Sequence, residues 1–241
     1  MTLAGKHIVV TRPRELAQGL AALIRQAGGE PLLFPAIEIR DPEDAGPARA
    51  LLRRLHEFDL AVFVSPSAVR KALELAGGRA WPRVAAIGEG TRRELEQRGF
   101  RGVIAPSGQA DSEALLALPE MAQIAGARVL VLRGADGREL LGETLAARGA
   151  KVEYAACYRR VRPAALPLEV RIDALCVSSG EALVNLVAML GRERLADTAL
   201  FVSHPRVAAQ ARELGLPRPL LAGPGDPEML AALVAYFGAA K

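Results

Sequence analysis

GKHIVVTRPRELAQGLAALIRQAGG (Gly5–Gly29) and GARVLVLRGADGRELLGETLAARGA (Gly126–Ala150) lie over one another without a gap, keeping Gly5/Gly126, Val10/Val131, Arg12/Arg133, Leu20/Leu141 and Gly28/Gly149 identical. Each copy reads as a strand followed by a helix. In the first, Ile8–Val10 is a β-branched run, Pro13 suits the first turn of a helix, and Leu16, Leu20, Leu23 and Ile24 recur at helical spacing until Gly28 and Gly29 stop it. The second follows the same plan from Val129–Leu132 through Leu141 and Leu145 to Gly149.

Working outward, DLAVFVSPSAV (Asp59–Val69) pairs with DALCVSSGEAL (Asp173–Leu183), keeping Asp59/Asp173, Ser65/Ser179 and Ala68/Ala182. A weaker pairing sets AAIGEGTRRELEQRGF beside LFVSHPRVAAQARELGL. Matches in the same order describe a duplication of the form A-B-A-B. Further apolar strands are predicted at 60–64, 84–87, 152–156, 174–177, 199–202 and 219–222, most of them followed by helical patterns. The fold class is therefore α/β: two similar domains, each a parallel sheet flanked by helices.

The chain has 241 residues, 51% of them hydrophobic and 24% charged, enough for one large domain or two modest ones with real cores. Its net charge of +4 comes from scattered basic residues, which suits an anionic small molecule better than a nucleic-acid groove. Aromatics make up only 4%, too few for a base-stacking platform. Cys157 and Cys176 form no CxxC pair or His/Cys cluster and read as small buried hydrophobes; no metal is expected. The opening MTLAGKHIVVTRP lacks the apolar core of a signal peptide, and no apolar run approaches the roughly 20 residues that span a bilayer. The expectation is a soluble, cytoplasmic protein, and without a coiled-coil seam, a monomer.

Polar residues collect where strands give way to helices. Arg12, Ser65-Pro66-Ser67, Gly88 to Thr91, Arg133 to Arg138, Ser178-Ser179-Gly180 and Ser203 to Arg206 all fall there. In an open parallel sheet these are the carboxyl ends, where helix N-termini offer N–H donors to ligands. Capping and turn chemistry account for any one of them taken singly. The arginines that repeat at the same place carry the functional reading. RGADGREL has neither G-x-x-x-x-G-K-[ST] nor G-x-G-x-x-G, so a phosphate loop is not indicated. It offers a glycine turn and two guanidinium groups, Arg133 and Arg138. These either bind carboxylates or fix the shape of the turn.

No Ser/His/Asp arrangement and no H-E-x-x-H is present. His7 is placed on the first strand, His56 in a helix and His204 in a turn beside Pro205. Asp59 and Asp173 recur at strand starts, the end opposite the ligand-binding one, and read as structural.

The ordered set VVTRP, FVSPSAV, AIGEGT, DSEALL (Asp111–Leu116), VLRGADGREL, CYRRV and VSHPR resembles the uroporphyrinogen-III synthase family over nearly the whole length. The resemblance implies two α/β domains joined by a two-stranded linker with a cleft between them. Residues 1–37 and 163–241 would form one domain and 40–160 the other, with 38–39 and 161–162 as linker strands. It implies cyclisation of hydroxymethylbilane, a linear tetrapyrrole bearing acetates and propionates, to uroporphyrinogen III with inversion of the last ring and loss of water. The implied course runs through an azafulvenium cation and a spiro intermediate, with no cofactor. The linear substrate also closes unaided to the non-inverted isomer, so the enzyme's task is chiefly to hold a conformation. Transient contact with the upstream hydroxymethylbilane synthase is a further expectation.

The resemblance makes Tyr158 the candidate catalytic residue. A phenol, with a reference pKa of about 10, stays protonated at neutral pH and suits donation to a departing hydroxyl. A hinge-packing aromatic is the other reading. Substrate carboxylates would be held by Arg12, Ser65, Ser67, Gly88, Thr91, Ser112, Arg133, Arg138, Ser179, Ser203 and Arg206. In the second B unit the chain departs from the family pattern: VSSGEA puts Glu181 near the cleft, and SHPR replaces a G-x-x-T turn. Two other classes stand beside this one, a non-catalytic anion binder or sensor and a nucleotide-dependent transferase, the latter disfavoured by the missing phosphate loop.

Overall fold

The computed structural model describes residues 2–107, 111–137, 139–164 and 170–239. The chain divides into two compact units, Met1–Glu38 with Val161–Lys241, and Ile39–Arg160. Unit 1 opens with β1 (His7–Val10), α1 (Arg14–Gln26) and β2 (Glu30–Leu33). The chain then crosses through β3 (Glu38–Arg40) into unit 2, which runs α2 (Gly46–Arg53), β4 (Leu60–Phe63), α3 (Pro66–Ala76), β5 (Arg83–Ala86) and α4 (Glu89–Gln97). Short helices α5 (Ser112–Leu116) and α6 (Pro119–Ala122) precede β6 (Arg128–Gly134), α7 (Leu140–Ala147) and the long strand β7 (Lys151–Val161). Back in unit 1 come β8 (Ala174–Val177), α8 (Gly180–Leu190), α9 (Arg192–Ala196), β9 (Ala199–Val202), α10 (Pro205–Glu213), β10 (Pro219–Leu221) and α11 (Asp226–Ala239).

Each unit holds one sheet, ordered β10-β9-β8-β1-β2 in unit 1 and β3-β7-β6-β4-β5 in unit 2. The pairings of β1 with β2 and β8, of β8 with β9 and of β9 with β10 are parallel. So are those of β4 with β5 and β6, and of β6 with β7. Placing β6 on β1 and β4 on β8 sets β7 on β2 and β5 on β9, as the A-B-A-B pattern predicts, and leaves β3 as an added edge strand of unit 2. The counterpart of β10 shrinks to Ile104, which bridges to Ala85 and exchanges backbone bonds with Ala86 and Val84 at 2.8 and 3.0 Å.

Helices on both faces explain the unbroken apolar strands. All four residues of β4 are buried. Leu60 and Val62 enter one core cluster with Val129 and Val131 of β6, while Ala61 and Phe63 enter the opposite one with Leu130 and Leu132. That alternation is the two-residue period of a strand read against two buried faces. In unit 1, Ile8 and Val10 pack with Leu20, Ile24 and Phe201.

Four sequence expectations need correction or refinement. The strand list omits β2, whose EPLL run has a proline at its second position; β2 is a sheet edge, where a missing N–H leaves no ladder bond unmade. The strand placed at 152–156 extends to eleven residues, because β7 continues past the end of its partner β6. The helix expected at His56 is a single turn of 3-10 helix, Leu55–Glu57. Of the segments 38–39 and 161–162, expected as linker strands, the first starts β3 and Val161 ends β7, with Arg162 beyond it; β3 and β7 neighbour each other in the sheet.

Candidate active site

In each unit the chain order reverses between the A strand and the B strand, at β1/β8 and at β6/β4. In an open parallel sheet such a reversal sends the flanking helices to opposite faces and leaves a crevice beyond the carboxyl ends. The residues that follow these strands are therefore the ones placed to meet a ligand.

In unit 2, β4 ends at Phe63 and the chain turns through Ser65, whose Oγ accepts the N–H of Ala68 at 3.0 Å and so caps α3. The same Oγ lies 3.0 Å from the hydroxyl of Tyr158, 93 residues away on β7. Tyr158 is 4% exposed. The register of β6 against β7 shifts between Arg133 and Gly134, which brings Gly134 opposite Tyr158. Gly134 has no side chain for a reason: a Cβ there would stand 3.0 Å from Cε2 and Cζ of the tyrosine ring. Ala135 N–H then donates to the Tyr158 carbonyl at 2.9 Å, closing the bulge.

Arg133 is engaged by groups of its own unit. Its side chain is 12% exposed, its Nη2 bonds Glu139 Oε1 at 2.9 Å, and its guanidinium lies 4.6 Å over the ring of Tyr154. The Tyr154 hydroxyl in turn occupies the place a Cβ of Gly142 would take, which explains a glycine inside α7. Arg133 holds the Glu139 carboxyl below its ordinary range, while burial and the neighbouring Glu139 push the Tyr154 phenol up. Arg138 lies outside the described residues. Gly88 and Thr91, at the start of α4, are buried, and Ser112 opens α5 behind its capping Asp111 with 9% exposure. Ser67 is half-buried in the first turn of α3. Thr91 is 3% exposed.

Unit 1 repeats the plan with other partners. Ser179 caps α8 by accepting Ala182 N–H at 3.2 Å, as Ser65 caps α3. Arg12, the counterpart of Arg133, pairs with Asp226, the first residue of α11. Thr11 is fully buried and donates to the Cys176 carbonyl at 2.8 Å, tying the end of β1 to β8. Ser203, 3% exposed, donates to the Ser178 carbonyl at 3.0 Å, which makes it a brace between the β8 and β9 ends. His204 and Arg206 are exposed at the start of α10. Burial pushes both cysteine thiols up to about 12, so neither is a thiolate at neutral pH.

Sequence reasoning missed the acidic partners. Asp226 is signalled only by the helix-opening Asp-Pro of GDPEML, and Glu139 only by its place after the glycine turn. Among the described residues, no three His, Cys, Asp or Glu side chains gather as metal ligands. No helix described is long and apolar enough to cross a membrane.

The family model of uroporphyrinogen-III synthase HemD matches residues 18–231. The chain is 36% identical over 224 residues to the uroporphyrinogen-III synthase of Escherichia coli K12, covering 86% of this chain and 91% of that one. It is 38% identical, with the same coverage, to that of Salmonella typhimurium LT2. In fold it resembles the crystal structure of uroporphyrinogen-III synthetase from Helicobacter pylori 26695, with a TM-score of 0.66 at 17% identity, covering 96% of this chain and 99% of that one. It also resembles a mutant uroporphyrinogen III synthase from the extremely thermophilic bacterium Thermus thermophilus, with a TM-score of 0.60 at 19% identity, covering 98% and 100% of the two chains. This chain belongs to the uroporphyrinogen-III synthase family.

Proposed function

We propose that the protein closes hydroxymethylbilane to uroporphyrinogen III, a cyclising lyase reaction of tetrapyrrole biosynthesis, and that Tyr158 is the group that assists departure of the terminal hydroxyl. The observation that carries the catalytic part is the fixed phenol at the strand ends of unit 2, with its oxygen 3.0 Å from Ser65 Oγ. Loss of the hydroxyl as water consumes one proton and leaves a cation on the chain's terminal carbon. Attack by the substituted pyrrole carbon, followed by fragmentation and reclosure, restores aromaticity and releases one proton. A phenol that gives the first and recovers the second ends the cycle unchanged.

The substrate's carboxylates are proposed to meet several kinds of group at the strand ends. In unit 2 these are the main chain of the Ser65 turn with Ser67, Gly88, Thr91, Ser112 and the amides of the helix starts; in unit 1, Arg12, Ser179 and Arg206, with Ser203 bracing the strand ends that carry them. Arg133 and Arg138 complete the proposed set, Arg133 through the shape it gives its turn. The protein is proposed to act as a cytoplasmic monomer that receives its unstable substrate in transient contact with hydroxymethylbilane synthase. No metal or nucleotide enters this scheme.

Thermal unfolding with added uroporphyrinogen III, ATP or NAD tests the ligand class. A rise in Tm with the tetrapyrrole and none with the nucleotides is expected. A rise with a nucleotide alone overturns the reading in favour of a nucleotide-dependent enzyme.

A further inference from the structure

A serine hydroxyl has one proton to give and two lone pairs. Ser65 spends one lone pair on Ala68 N–H, which leaves its proton and one lone pair for the Tyr158 hydroxyl 3.0 Å away. If the phenol donated, its proton would be committed to Ser65 and nothing would remain for a substrate. The position of Ser65 favours donation by the serine. Its Oγ sits at the positive end of α3, eleven residues long, and already accepts one N–H. Both draw electron density from the oxygen, so it donates well and accepts a second proton poorly.

We propose that Ser65 is a positioning residue for Tyr158: it donates its hydroxyl proton to the phenolic oxygen, so that the phenol's own proton is left free for the departing hydroxyl. This rests on the reading of Tyr158 as the proton donor. Gly134 leaves room for the ring beside the strand, and the bond from Ser65 orients the phenol's hydroxyl. The duplication supplies an internal contrast. Ser179 makes the same cap in unit 1, yet the chain's remaining tyrosines are Tyr154, beneath Arg133, and Tyr236, packed on Phe201 and Phe237. The pairing of cap and phenol belongs to unit 2.

The test is kinetic. Type III formation is followed for Ser65→Ala, Ser65→Gly, Ser65→Thr, Tyr158→Phe and the Ser65→Ala/Tyr158→Phe pair, each checked for folding by thermal unfolding. Glycine is tolerated at helix N-caps, so Ser65→Gly removes the hydroxyl with little loss of the helix start. Ser65→Ala and Ser65→Gly are expected to lower kcat about tenfold with KM within about twofold, and Ser65→Thr to restore it. In the Tyr158→Phe background, Ser65→Ala is expected to change nothing further. If Tyr158→Phe retains full kcat, the reading of Tyr158 as donor fails and the proposal with it. If Tyr158→Phe is slow while folded Ser65→Gly keeps its kcat, or if the two losses multiply in the pair, the positioning claim alone is overturned.

Discussion

Asp59 and Asp173 hold the same post in the two units. The carboxylate of Asp59 accepts the N–H of Arg128, which starts β6, at 2.8 Å, and that of Asp173 accepts the N–H of His7, which starts β1, at 2.9 Å. Each aspartate's own N–H returns a bond of 2.9 Å to the same partner's carbonyl. The first N–H of a strand flanked by its neighbours would otherwise lack a partner, and an aspartate leading the B strand supplies one. The structural reading of these residues from the sequence thus acquires a mechanism: they lock the register of A against B at the end remote from the proposed chemistry.

Truncating either aspartate should cost stability and spare turnover. Asp173 also draws Lys6 at 3.6 Å and its side chain is 9% exposed, so it has more to lose. Asp173→Ala is expected to lower the unfolding free energy by about 2 kcal/mol and Asp59→Ala by about 1 kcal/mol. Urea titrations check both values, and kcat of the folded fraction should stay at the wild-type level.

Arg12 is engaged by an internal carboxylate, Asp226. With Arg12 proposed as a carboxylate binder, Asp226 competes with the substrate for the same guanidinium. Asp226→Asn should lower KM a few-fold, about 1 kcal/mol in binding, at some cost in Tm. The gain should shrink as salt is raised, since both attractions are screened. Steady-state KM at two ionic strengths measures it.

The Tyr158 ring lies 3.0 Å from where a Cβ on Gly134 would stand. Gly134→Ala should push the phenol off its position and lower kcat about tenfold while leaving KM nearly unchanged, since misplacing a reacting group by a fraction of an ångström affects the transition state first. A variant with full kcat would mean that the ring's plane does not matter.

Glu57 is gripped by Arg54 and Arg128 at 2.9 and 2.7 Å, and these bonds lower its carboxyl from 4.5 to about 2. A carboxylate lowered on folding contributes stability that is complete above its unfolded value and is lost as pH falls through the folded one. Urea midpoints should therefore drop between about pH 4.5 and pH 2. Glu57→Gln should show a shallower drop over that window and no difference in slope above about pH 5.

How much was legible follows from where the signals live. The paired A and B units, the parallel strands and the caps at Ser65 and Ser179 are local patterns, and period, spacing and turn chemistry carry them. The β2 edge was hidden because Pro31 breaks the strand signature at the one place in a sheet that tolerates it. The site was legible as a set of strand ends but not as contacts. Ser65 with Tyr158, Arg12 with Asp226, and Arg133 with Tyr154 depend on which strand ends meet and on a one-residue bulge in β7's register, which no local window contains.

The central claim is tested most directly by the product. Purified protein is given freshly generated hydroxymethylbilane without added metal or nucleotide, the products are oxidised, and the type I and type III uroporphyrin isomers are separated by chromatography. The account predicts predominantly type III, formed faster than unaided closure. Type I alone, from protein shown to be folded, would contradict it.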